Sequence, residues 1–168
     1  MAAEFHLSTY YVETDLKDIA ELIERLKKAA NELHIFAQVF DPSVIVSDRH
    51  LFHAYALAQN AFKEGENYAK SIEAEVIVKA AAETRINEAI MKVGAKNTAG
   101  FILLTDAGDK ELAKLLEILH GKAKKCTYHS NLDVEKVKAT FNLTDKMLEN
   151  YSLEDLVLEK MALSGHEN

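Results

Sequence analysis

The chain has one cysteine, one proline, no tryptophan and only six glycines in 168 residues. Each scarcity excludes something. A lone Cys126 cannot close an internal disulfide, so a small fold stapled by bridges is out and a reducing, cytoplasmic setting is expected. With Pro42 the sole proline and no glycine-rich tract, collagen-like and low-complexity classes fall away. No unbroken apolar run approaches the roughly 20 residues of a membrane helix. The opening MAAEFHLSTYYVETD has neither a basic n-region nor a continuous apolar h-region, so neither a secretory signal nor a membrane partner is expected.

What is present suits a globular domain spanning 1–168: 48% hydrophobic and 28% charged residues. A chain of this length loses about 70% of its unfolded surface on folding, enough core to need no metal staple. The formal charge is −7, which argues against coating nucleic acid non-specifically. It is unevenly placed. Residues 1–48 carry net −5, residues 49–108 are balanced, 109–138 carry +2 and 139–168 carry −4. A local site for a few phosphates is compatible with that middle.

Alternation over Phe5–Val12 predicts a strand, with Thr14 capping a helix through Ala30. Leu33–Phe40 reads as a central strand buried on both faces and stopped by Asp41-Pro42. Ser47 caps a helix to about Phe62, and the polar stretch Lys63–Lys70 reads as a mobile loop. Ser71 caps a helix to about Ala81, and Thr84 another whose Ile86, Ala89, Ile90 and Val93 fill one face. Gly94 stands where a left-handed helix end belongs. Gly100–Thr105 is a second buried strand, followed by a helix through Leu119. Cys126–His129 reads as an edge strand, and three short helices close the chain near 133–141, 145–150 and 152–163. The expected fold is α+β (a small α/β domain): a three- to four-stranded mixed sheet packed with about seven helices.

The chemistry-bearing residues do not assemble into an enzyme. His50 and His53 share a helix at a spacing that can hold a metal, but no further ligand stands at motif spacing, so no metal is expected. Cys126 lacks a Cys/His signature, and Glu73 and Glu75 diverge by about 200° on a helix, which suits a solvated role. The turn Thr105-Asp106-Ala107-Gly108-Asp109 aims carboxylates at a helix start, a capping turn rather than a phosphate loop. No catalytic residue, cofactor or small-molecule substrate is expected.

Two features ask for a partner. The helix over Leu153–Leu163 is apolar around well over half its circumference, so it is either enclosed in its own domain or offers a second face. The polar face after Thr84 gathers Arg85, Glu88 and Lys92, with Lys79 upstream. That face is either solvated or touches phosphate.

The strings Val46-Ser47-Asp48-Arg49-His50-Leu51-Phe52-His53-Ala54, Ser71-Ile72-Glu73-Ala74-Glu75-Val76-Ile77-Val78 and Arg85-Ile86-Asn87-Glu88-Ala89-Ile90, with Gly94-Ala95 and the closing Val157-Leu158-Glu159-Lys160-Met161-Ala162-Leu163, resemble the small regulatory subunits of the KEOPS complex. The resemblance is to the PRPK-binding protein (TPRKB) family, and within it to archaeal-type members. The resemblance covers about residues 33–163 and implies a non-catalytic protein. Its partners would be the KEOPS kinase-ATPase subunit, bound through Val157, Leu158, Met161 and Leu163, and the 3′ CCA end of tRNA during threonylcarbamoyladenosine modification. For tRNA the implied contacts are His50, Lys79, Arg85 and Lys92, with the His50 ring stacking on a base. Relatives often place a glycine and a basic residue just before I-x-E-A. Here Ala82 fills the first place and Thr84 the second, with Arg85 one position later, about 100° around a helix. The alternative is a kinase-binding regulator with no tRNA affinity of its own.

Overall fold

A computed structural model describes residues 6–165. The elements run β1 (Ser8–Thr14), α1 (Ile19–Leu33), β2 (Ala37–Phe40), α2 (Asp48–Glu64), α3 (Ile72–Ala80), α4 (Ile86–Val93), β3 (Phe101–Thr105), α5 (Asp109–Leu119), β4 (Gly121–Lys125), α6 (Val134–Phe141), α7 (Asp145–Leu148) and α8 (Leu153–Leu163). The fold is α+β, and it gathers into two compact units. One comprises the chain up to Asp41 with Ala95–Thr127; the other comprises Pro42–Gly94 with the chain from Tyr128 onward.

The first unit holds the sheet, in the order β2-β3-β1-β4. Every pairing is antiparallel, with Tyr10 opposite Leu103, Tyr10 opposite Lys125 and Val39 opposite Leu103. The sheet is therefore not mixed. Strands β1 and β2, joined through α1, do run the same way, but β3 lies between them. This is the split β-α-β arrangement of ferredoxin-like folds. Helices α1 and α5 pack together, and Leu22, Leu26, Leu115 and Leu119 share a core with Val12, Val39, Phe101 and Leu103.

Several expected boundaries move for local reasons. The α1 cap is Asp18, whose side chain accepts from the Ala20 N–H, while Thr14 ends β1. Helix α1 continues to Leu33 and stops at His34 in the left-handed region, so β2 starts only at Ala37. All four β2 residues are buried, yet the strand stands at the end of the sheet order, not in its centre. Cys126 lies just beyond β4 and is no strand residue. Of the expected first strand, Phe5 lies outside the described residues.

The second unit is helical. Helix α2 packs on α3 and α8, and α3 packs on α4. Its core includes Leu51, Ala54 and Ala58 from α2, Val76 and Val78 from α3, Val93 from α4, Phe141 from α6 and Val157 and Met161 from α8. Ser47, Ser71 and Ser152 cap α2, α3 and α8 by accepting the His50, Ala74 and Asp155 N–H groups. Thr84 caps nothing: Arg85 is the N-cap of α4 and makes no side-chain cap bond. Gly94 has φ −65°, not left-handed. A Cβ there would lie 2.7 Å from the Ile90 carbonyl oxygen, so close approach explains the glycine. The stretch expected to be loose is largely committed, since α2 runs to Glu64 and ends on a left-handed Gly65.

Candidate functional site

His50 begins from its cap and ends in the core. It is fully buried. Its Nδ1 accepts from the Val46 N–H at 3.3 Å, and its Nε2 lies 2.8 Å from the Ala80 carbonyl oxygen. A carbonyl only accepts, so the ring is the neutral Nε2–H tautomer. Phe141 meets it edge-on, centroids 5.7 Å apart. Burial pulls its pKa from 6.5 to about 4, with a further push down from His53, against the opposing Ala80 bond and Glu154. A ring enclosed on all sides cannot stack on a base, and His50 leaves the set of RNA contacts. His53, on the outer side of α2, also titrates below its usual value, through partial burial and then the Arg49 charge.

The three basic candidates are all paired. Lys79 Nζ lies 3.5 Å from Glu75 Oε2, and its side chain is only 11% exposed. Lys92 Nζ donates to Glu83 Oε1 at 2.6 Å. Burial pushes the Glu83 carboxyl up, but the Lys92 hydrogen bond and charge outweigh it and hold it below the usual range. Arg85 is well exposed and meets Glu88 at 3.3 Å. As the N-cap it stands before the helix rather than on its polar stripe.

Lys79 and Lys92 nonetheless line two clefts in this unit. One, of about 450 Å³, is bordered by Ala82, Thr84, Lys92, Asn142 and Lys160. The other, of about 340 Å³, is bordered by Leu57, Asn60, Glu64, Lys79 and Ala162. Tyr68, Ser164 and Gly165 line both. Arg85 lines neither.

Glu75 departs furthest from expectation. The sequence suggests a solvated carboxylate; the structure buries it completely. Its Oε1 accepts the Tyr68 and Ala69 N–H groups at 2.8 and 2.6 Å, which ties the chain after α2 to α3. The signal was there: Glu75 sits in a helix apolar nearly all round, with Lys79 four residues on. Tyr68 was missed too, and its signal was an aromatic inside a polar stretch. Lys160 stands between the apolar residues of α8 and borders the larger cleft.

Helix α8 divides its apolar residues. Val157 and Met161 are buried in the unit's own core, at 0% and 1% exposure, and so are unavailable to a partner. Leu163 is 45% exposed, and Leu158 borders a shallow hollow with Arg49, Phe52, His53 and Glu159. Arg49 Nη1 reaches Glu154 at 3.0 Å beside it.

No group of three or more His, Cys, Asp or Glu among the described residues is placed to hold a metal ion. No helix among them is long and apolar enough to cross a membrane. The features that stand out are surfaces: a hollow on the α2–α8 side and two lysine-bordered clefts.

A model of the family described as "Kinase binding protein CGI-121" matches residues 14–165, and the chain belongs to that family. This is the KEOPS small-subunit family whose motifs the sequence carries. A relative named "Regulatory protein Cgi121", from Methanocaldococcus jannaschii, is 26% identical over 142 residues, covering 80% of this chain and 94% of its own length.

Proposed function

We propose that the protein is a non-catalytic subunit of a KEOPS complex that docks on the kinase-ATPase subunit and helps to recruit tRNA by its 3′ CCA end. The family match over residues 14–165 carries this reading. The kinase would seat on the exposed side of α8, at Leu158 and Leu163, beside the hollow at Phe52 and His53. The RNA end would enter the clefts bordered by Lys79, Lys92 and Lys160. Arg85 stands outside both and would at most contact an approaching phosphate.

Co-purification with the kinase subunit, followed by a tRNA gel shift on the isolated chain, tests the two halves separately. The proposal expects capture of the kinase and a shifted tRNA band. Loss of capture overturns the first half; an unshifted band overturns the second.

A second reading is favoured by one observation: Lys79, Arg85 and Lys92 each face a carboxylate, in a chain of net charge −7. In that reading the protein regulates the kinase and has no tRNA affinity of its own. The same gel shift separates the readings.

A further inference from the structure

Tyr68 is a half-exposed aromatic whose backbone is fixed by a fully buried carboxylate. Burying a carboxylate is costly in desolvation unless it is well paired. Here Glu75 Oε1 is satisfied by the Tyr68 and Ala69 N–H groups, while Oε2 has no hydrogen bond and only the Lys79 ammonium 3.5 Å away. The Lys79 Nζ also lies over the Tyr68 ring, 5.1 Å from its centroid. At the ring's far end, Gly165 has φ +84°, and a Cβ there would come within 2.6 Å of the tyrosine Oη. Asn67 Nδ2 donates to the Ala69 carbonyl at 2.8 Å and closes the same loop. A buried carboxylate thus fixes the Tyr68 backbone and a cation lies over its ring, while the residue is still 48% exposed. Packing alone gives no reason to fix an exposed ring so firmly.

We propose that Tyr68 is a stacking platform for an unpaired nucleobase of single-stranded RNA. This rests on the RNA half of the proposed function and names the group that reads the base. With Lys79 over one face, the base takes the other. Phosphates on either side of it would meet Lys92 and Lys160 at the edge of the larger cleft. Every base presents a π face, so the platform would tolerate any base while requiring that it be unpaired.

The test uses the full chain and a short single-stranded RNA ending in CC and 2-aminopurine, whose fluorescence falls when it stacks. Wild type should bind and quench, and Tyr68→Phe should do both equally well. Tyr68→Ala should lose the quenching and about 5- to 150-fold in affinity, with the melting temperature unchanged. Should the alanine variant melt early, Tyr68→Leu repeats the measurement with apolar bulk retained and the ring removed. Undiminished binding and quenching in the ring-less variants overturns the platform while leaving RNA binding intact. A wild type that binds no RNA overturns both. Unchanged RNA binding with loss of kinase co-purification would place Tyr68 in a protein interface, and that also overturns the proposal.

Discussion

His50 shows how a single buried ring couples this protein's stability to pH. The folded state holds it neutral, with a pKa near 4 against 6.5 for a free imidazole, because burial removes the water that would solvate the cation. Below pH 6.5 the unfolded chain takes up a proton that the folded one refuses. The stabilising effect is therefore complete above pH 6.5 and lost as pH falls towards 4. Linkage puts the loss at roughly 2 kcal/mol between pH 7.5 and 5. Denaturation midpoints across that range should fall accordingly, and His50→Gln should flatten the slope. A wild type with the same midpoint at both pH values would contradict the tautomer and burial described.

Ala82 gives a second prediction at the same scale. It has φ +53°, just past the end of α3, where the Ala82 N–H bonds the Lys79 carbonyl and the Glu83 N–H bonds the Val78 carbonyl, each at 3.0 Å. These are the two bonds of a Schellman cap, which favours glycine because a Cβ in the left-handed region costs about 1 kcal/mol or more. Ala82→Gly should raise the melting temperature by about 2–4 °C, the response expected of about 1 kcal/mol in a chain this size. A lower melting temperature would mean that the methyl contributes more by packing than it costs in strain.

At the scale of elements, α8 separates residues that the sequence pattern could not. Its apolar side chains surround most of the helix, and periodicity alone does not say which of them the domain keeps. The structure keeps Val157 and Met161 and leaves Leu163 exposed. Met161→Glu should accordingly destabilise the isolated protein by about 3–5 kcal/mol, the cost of an unpaired buried charge. Leu163→Glu should leave the thermal melt unchanged and weaken kinase co-purification. If instead Met161→Glu melts like wild type, the helix is not internal.

The same distinction explains what else was legible. Serine caps at 47 and 71 and the buried run of β3 declared themselves, because each depends on a few neighbouring residues. The sheet's direction and the edge position of β2 depend on pairings between distant segments, such as Phe40 with Ile102, and no local pattern encodes them. Helix ends at His34, Ala82, His120 and Asn142 were hidden for a different reason: none uses the expected glycine. Of the candidate site, Lys79 and Lys92 were legible as basic residues and do line clefts, whereas their ion pairs, and the burial of Glu75 and His50, are tertiary facts.

For the whole molecule the question is whether a chain of net −7 can hold RNA selectively. Its lysines are not pooled in one field. Lys122, Lys124 and Lys125 lie on β4 at the end of the sheet order, where lysines also discourage strand-to-strand association, and Lys124 is paired with Glu13 at 2.8 Å. In the helical unit, Lys79, Lys92 and Lys160 are the lysines among the described residues that border the clefts, so an RNA end should engage two or three phosphates. Counterion release from a single strand then gives a slope of log K against log salt of about −1.4 to −2. Affinity carried by so few charges must draw on contacts to the terminal nucleotides, and tRNA lacking its last three nucleotides should bind far more weakly than intact tRNA. Titrations of both RNAs at several salt concentrations check the two expectations together. Equal affinity for the two, or a slope steeper than about −4, would mean attraction along the RNA backbone by the protein's lysines at large, and the clefts would then not be the site.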